Sequence, residues 1–437
     1  MKRLALFSTL AALIASSASA TTYLMICDSG NDSVRLVNSN DGTLVNGAFI
    51  SDSALSTGGC AIESLRDTIL ISDQGGGVFE YEPYGARLGT IVTPVQISNN
   101  RGIAIYGNKL YVTVAGGANA GTIQQFNLDG TGQATFANVS APAGVTASPW
   151  DIEKLGNDYI VTDSATDDIY RFDSAGNFVN KFYTSAWTSG NQQDIHFPYQ
   201  IKADGANYLV GGFSLGDLGV YQFNSSGVKT DFDYVNTGIR GVHRLGNGLV
   251  LWTGGTRYGT LNQATGDTLD LANISGRSFR MVEEFHAGSI VSGTANLGTL
   301  AAEATFPKLM TVVLRPVGGG APVLSKPVWV NSNGSFQFFT TKVGEFELLI
   351  GGKHWLKKMA TSSVTIAAES TVTGVSVAPT NGDVDGNGVI NTDDYLILSE
   401  NFDTTVPEGT LGDLDDNTLI NTDDYLILSD NFDNSDD

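Results

Sequence analysis

The chain has 437 residues and a formal charge of −22, with 46 acidic residues against 24 basic ones. Sixteen acidic residues and no basic ones fall in 381–437, which leaves the preceding body, with 30 acidic and 24 basic residues, close to balance. A tail of that composition excludes a nucleic-acid or anionic-lipid surface there, since phosphate binding needs clustered Lys and Arg, but it suits divalent cations.

At the N-terminus, Lys2 and Arg3, the apolar run Leu4 to Ile14 and the small residues Ala18-Ser19-Ala20 read as an export signal over 1–20. No later segment approaches ~18 consecutive apolar residues, so no membrane span is expected and the mature protein should be secreted, extracellular or at the cell surface. Such compartments permit a disulfide, and Cys27 and Cys60 are the two cysteines. Two buried thiols are the alternative.

Residues 22–293 repeat. A short apolar strand, a Gly or Asn turn and a second strand recur at Gly102-Ile103-Ala104-Ile105, at Ile152-Glu153-Lys154-Leu155, at Ile201-Lys202, at Val242-His243-Arg244-Leu245 and at Val282-Glu283-Glu284-Phe285. The last of these would lead into Ser289-Ile290-Val291, and a weaker copy begins at Ala61-Ile62. A spacing of about 40–49 residues matches a four-stranded propeller blade. The first strands, Tyr23-Leu24-Met25-Ile26 and Val34-Arg35-Leu36-Val37, would complete one blade with the last copy, because a radial array must close or leave unpaired edges. The expectation is a mainly β chain with a six-bladed propeller over 21–300, seven blades being the alternative.

The turns Asp163-Ser164-Ala165-Thr166-Asp167-Asp168 and Asp28-Ser29-Gly30-Asn31-Asp32-Ser33 resemble units of the NHL-repeat type of propeller. That resemblance implies a disc with a central channel, used for ligand or protein binding and less often for catalysis. The residue two before each inner-strand apolar position should line the channel mouth: Cys60, Arg101, Trp150, Tyr199, Arg240 and Arg280. Guanidiniums and large aromatics there would suit a small anionic or carbohydrate ligand. Propellers of similar type include lyases and lactonases that use His or Glu with a metal. His196, His243 and His286 lie in different units without paired spacing, so binding is the reading and an exported lyase, lactonase or carbohydrate-active enzyme the alternative. Placed on adjacent blades, Cys27 and Cys60 could pair, closing a loop worth about 3–4 kcal/mol.

Over 305–378, strands are expected at Thr311–Leu314, Val328–Val330, Ser335–Phe338, Phe346–Ile350 and Val364–Ile366, with a hairpin at Asn333-Gly334. The pattern resembles the carboxypeptidase-regulatory type of sandwich, and implies a rigid spacer between disc and tail.

In 381–437, Asp383, Asp385, Asn387, Val389, Asn391 and Asp394 occupy positions 1, 3, 5, 7, 9 and 12 of a loop whose oxygens suit Ca²⁺, Val389 through its carbonyl. Asp413, Asp415, Asn417, Leu419, Asn421 and Asp424 repeat the spacing 30 residues on. Each loop leads to a helix in which Tyr395, Leu398 and Phe402, or Tyr425, Leu428 and Phe432, would share a face. Duplicated loop–helix halves closed by Asp resemble the dockerin module. The resemblance implies two bound calcium ions, a cohesin-like protein or surface scaffold as partner, and partner reading by Thr392, Asp393, Thr422 and Asp423. Thr418 replaces the glycine of the first loop, so the second site should be weaker.

Overall fold

The computed structural model describes residues 21–437, apart from 54, 64–66, 84, 191–192, 215–216 and 299. The export-signal reading, on 1–20, lies outside the described residues. The fold is mainly β: six four-stranded sheets arranged as propeller blades and one larger curled sheet, with three short helices among the described residues, α1 (Ser140–Ala143), α2 (Thr392–Glu400) and α3 (Thr422–Asp430).

Five blades are continuous in sequence, from Thr57–Val92 through Ser98–Asn138, Pro149–Tyr183 and Pro198–Tyr234 to Gly241–Asn273. The sixth joins the inner strand Phe279–His286 to Thr22–Asp28, Ser33–Asn38 and Leu44–Ser51, so both ends of the repeat close the ring as the edge argument requires. Alternation within each strand sends every second side chain into the gap between blades. The gaps are filled all the way round. Leu70 and Val78 meet Ile103 and Val112, Tyr111 and Ile123 meet Ile152 and Val161, and the sixth gap unites Met25, Val34 and Ile50 with Ile69, Ile71 and Tyr81.

A second device ties the inner strands together. Hydroxyls at one repeated position reach the next blade's inner-strand carbonyl: Ser72 to Arg101 at 2.5 Å, Thr113 to Trp150 at 3.1 Å, Thr162 to Tyr199 at 2.6 Å, and Thr253 to Arg280. In the fourth blade this position is Gly211, where an added Cβ would lie 2.8 Å from the Ile239 carbonyl. In the sixth it is the buried Cys27. The expected Cys27–Cys60 bridge depends on the Cys60 side chain, which lies outside the described residues.

Two expectations change. Cys60 pairs with Ile71, just as Ile103 pairs with Val112 and Ile152 with Val161, so Gly58, not Cys60, holds the mouth position of the first blade. A two-residue slip keeps the inside–outside alternation, so pattern alone did not separate the registers. Second, Ser289–Ala295 is not a propeller strand. It leaves the disc after His286 and enters the curled sheet, antiparallel to Ser335–Thr340 and parallel to Thr371–Val377.

That sheet runs on through Leu324–Val330, Lys308–Pro316, Gly344–Gly352, Trp355–Met359 and Thr380–Asn381, and curls over one core including Val312, Leu314, Phe338, Leu348, Ile350 and Trp355. It is seated on the disc by a fully buried pair, Lys326 Nζ to Glu82 Oε1 at 2.6 Å, and by Asp67, whose carboxylate accepts from Thr340 Oγ1 and the Thr341 amide.

Gln200 gives a test of ring closure. From the fourth blade its amide donates to the Val282 carbonyl and its oxygen accepts from the Val242 and Val282 amides. Gln200→Leu leaves these buried groups without partners, at ~1–3 kcal/mol each. Urea unfolding of the variant should show a midpoint well below wild type with an unchanged slope.

Candidate functional site: the tail loops and the channel mouth

In the tail, the two loops bring six carboxylates into two triads. Asp383, Asp385 and Asp394 offer oxygens within 4.8 Å of one another, as do Asp413, Asp415 and Asp424. Backbone geometry holds them there against repulsion. Asp394 Oδ1 accepts from the Val384 and Asp385 amides at 2.7 and 3.1 Å, and its Oδ2 from the Asn391 amide at 2.8 Å. Asp424 does the same with Leu414, Asp415 and Asn421. Asn391 and Asn421 cap α2 and α3 through the amides of Asp393 and Asp423, so the position-12 carboxylate is also the third residue of a capping box. Asn387 and Asn417 sit beside their triads, bonded to Asp385 Oδ2 at 2.8 Å and Asp415 Oδ2 at 3.0 Å.

Charge is unbalanced at both triads. Burial, then Asp394 and Asp385, raises the Asp383 carboxyl above its ordinary value, and burial with Asp424 and Asp413 pushes Asp415 up to about 6. Asp383 Oδ1 is buried with no hydrogen-bond partner. A hard divalent cation suits such oxygens, and these residue types fit Ca²⁺.

The halves embrace reciprocally: the Asp403 amide bonds the Ile420 carbonyl, and the Asp433 amide bonds the Ile390 carbonyl. Between them lie Ile390, Leu398, Ile420 and Leu428. The expected shared face is corrected: Leu398 and Leu428 point inward, whereas Tyr395, Phe402, Tyr425 and Phe432 are each at least 40% exposed, and α2 and α3 end at Glu400 and Asp430, before Phe402 and Phe432. Thr392, Asp393, Thr422 and Asp423 are also exposed, and the Tyr395 and Tyr425 rings meet edge to face at 6.1 Å. The sheet is more than a spacer. Leu356 enters the tail core, His354 contacts Asp416 at 3.3 Å and Asn381 at 2.6 Å, and Lys308 pairs with Asp416 at 2.5 Å. This seat, with Lys357 and Lys358 on Asp436 and Asp437, was not anticipated, although a basic run opposite an acidic tail was its signal.

On the disc, Arg101, Trp150, Tyr199, Arg240 and Arg280 hold equivalent places in the strand register, two residues before Ile103, Ile152, Ile201, Val242 and Val282. The inner strands bulge beside Arg101, Trp150, Tyr199 and Arg280, re-aiming those side chains. Trp150 and Tyr199 stack at 3.7 Å, with Arg101 over Trp150 at 4.1 Å and Arg240 over Phe213 at 4.4 Å. Burial, then Arg240 and Arg101, lowers the Arg280 guanidinium to about 10. At the channel's other end a cavity of about 270 Å³ lies beside Ala104, Glu153, Lys202 and Glu283, with Lys202 Nζ 2.7 Å from Glu283 Oε2. His196 bonds Asp167 and stacks on Trp187, His243 bonds the Arg244 carbonyl, and His286 meets Thr22, so the three histidines do not converge.

No protein-family model and no curated protein matches the sequence. Similar solved structures include a chain of a nidogen–laminin complex (14% identity, TM-score 0.49, 60% of this chain and 98% of that one). A protein of unknown function from Bacteroides caccae has 15% identity and a TM-score of 0.44, over 61% of this chain and 99% of its own. A chain from a mutant type II cohesin–X–dockerin complex of Acetivibrio cellulolyticus has 25% identity and a TM-score of 0.27, over 34% of this chain and 97% of its own.

Two measurements follow from the tail geometry. A carboxyl raised from 3.8 to about 6, as at Asp415, contributes stability below its ordinary value that is lost as pH rises through about 6. Cation-free, α3 should therefore open more at pH 7 than at pH 5 in hydrogen exchange corrected for intrinsic rates, and millimolar calcium should reverse the order. Thr418 has φ +72°, where the first loop has Gly388 at +88°. A β-branched residue costs ~1 kcal/mol or more in that region, so Thr418→Gly should tighten calcium at the second loop by about fivefold in calorimetry.

Proposed function

We propose that this chain is an exported binding and display protein. Its tail takes two calcium ions and plugs into a cohesin-like protein or surface scaffold, while the disc presents a ligand-binding channel mouth. The duplicated carboxylate triad, with Asp383 Oδ1 buried and unpartnered, carries this reading. Calcium would be held by Asp383, Asp385, Asn387, Val389, Asn391 and Asp394, and by Asp413, Asp415, Asn417, Leu419, Asn421 and Asp424. With the ion in place the like charges are neutralised, so folding of the tail and binding become one equilibrium. The exposed Thr392, Asp393, Tyr395 and Leu396, repeated as Thr422, Asp423, Tyr425 and Leu426, provide the docking face.

An exported enzyme is the second reading, and the cavity beside Glu153, Lys202 and Glu283 is what favours it. It ranks lower because burial works against the Lys202 charge and Glu283, Glu153 and Asp151 more than offset it, so that the lysine stays an ammonium rather than a base.

Calorimetry of the full chain should give two equivalents of calcium, with Asp383→Asn and Asp413→Asn each removing one. Absence of calcium heat at neutral pH would end the attachment reading.

A further inference from the structure

The proposed function leaves open what the disc binds, and the mouth itself narrows the answer. Aromatic rings bind sugars by offering a free face. Here Trp150 and Tyr199 are 6% and 7% exposed and stacked on each other, and Arg101 covers Trp150. The rings are spent as a floor for guanidiniums, so no sugar platform remains.

What does remain is unbalanced positive charge. Among the described residues, no carboxylate pairs with Arg101, Arg240 or Arg280. Four acidic groups at this end of the disc have partners elsewhere. Asp28 pairs with Arg277 and Arg35 and accepts from the Ser278 amide; Asp73 accepts from the Ser56 and Gly75 amides. Asp163 accepts from Ser148 and Thr166, and Asp167 from His196 and the Phe197 amide. The arginines themselves are steadied by neutral oxygens: Arg240 donates to Ser278 Oγ and Arg280 to Ser29 Oγ, both at 2.6 Å. The Gln74 amide oxygen, in the orientation that satisfies both amide atoms, accepts from Arg280 Nη1 at 2.6 Å. The Nε atoms of Arg101 and Arg240 are buried with no partner. Arg101 and Arg280 lie 4.1 and 5.9 Å from the Trp150 ring, and Arg240 5.9 Å from the Tyr199 ring stacked on it, which gathers all three around one aromatic pair. Gly58 puts no side chain into the ring between Arg280 and Arg101.

Burying like charges without a counterion is unfavourable, and planar guanidiniums are matched by oxyanions. We propose that the mouth is a receptor for a compact oxyanion (a carboxylate, sulfate or phosphate group) held among Arg101, Arg240 and Arg280, and that the anionic group, not a sugar ring, is what it recognises. This rests on the mouth being the disc's binding site and deepens that reading.

The test titrates the full chain, calcium-free, with inorganic sulfate, inorganic phosphate, glucuronate and glucose, followed by calorimetry and tryptophan fluorescence. At least one oxyanion should bind and glucose should not; which one binds best identifies the source. In Arg101→Gln and Arg240→Gln, affinity should fall at least tenfold. A thermal melt supplies the second readout. If the arginines await an anion, these variants melt no lower than wild type without anion and lose the anion's stabilising shift. No oxyanion binding, equal binding of glucose, binding retained by both variants, or variants that melt lower and still gain the shift would each overturn the proposal. The calcium stoichiometry of the tail is independent of this outcome, so failure at the mouth leaves the attachment reading standing.

Discussion

Repulsion between like charges that the backbone has fixed in place is the constraint on which this structure turns. At each tail loop, amides of the loop and of the helix N-terminus hold a position-12 carboxylate against two others, as Asp394 is held by Val384, Asp385 and Asn391. At the channel mouth, inner strands bulged beside Arg101 and Arg280 gather these two arginines and Arg240 around the stacked Trp150 and Tyr199 rings. Backbone hydrogen bonds supply the geometry, and the calcium and oxyanion proposed above would supply the opposite charge. The fold thus meets this cost twice, with opposite signs at separate places, beside internal pairs such as Lys326–Glu82.

The curled sheet links the two places physically. On one side it buries Lys326 against Glu82, whose carboxyl is pushed up to about 7 by burial with Lys326 opposing. On the other it seats the second loop through Lys308, His354 and Leu356. Asp416 reaches that seat with φ +62°, at the position where the first loop has Gly386 at +75°. The second loop thus gives up two glycines: one for a contact to the sheet, at Asp416, and one, at Thr418, for which no contact explains the strain.

Much of this was legible in the sequence because it repeats. Blade spacing, ring closure by the ends of the repeat, and the Asp-x-Asp-x-Asn loops are periodic signals; the six blades follow the first two, and the loops place their carboxylates in two triads. Three failures share a cause. The register of Cys60 was ambiguous because a two-residue slip preserves alternation. Ser289–Ala295 reads locally as a blade strand, yet its partners Ser335–Thr340 and Thr371–Val377 are distant in sequence. Tyr395 and Phe402 have helical spacing, but in a nine-residue helix only Leu398 reaches the core. Local pattern states which residues could be buried; long-range pairing decides which are.

The most direct test of the account is crystallographic. Crystals of the full chain grown in calcium, with anomalous data at long wavelength, should show one peak inside the Asp383–Asp385–Asp394 triad and one inside the Asp413–Asp415–Asp424 triad, each ringed by side-chain oxygens and one main-chain carbonyl. Empty triads with the carboxylates splayed apart, or calcium bound only at other surface acids, would contradict it.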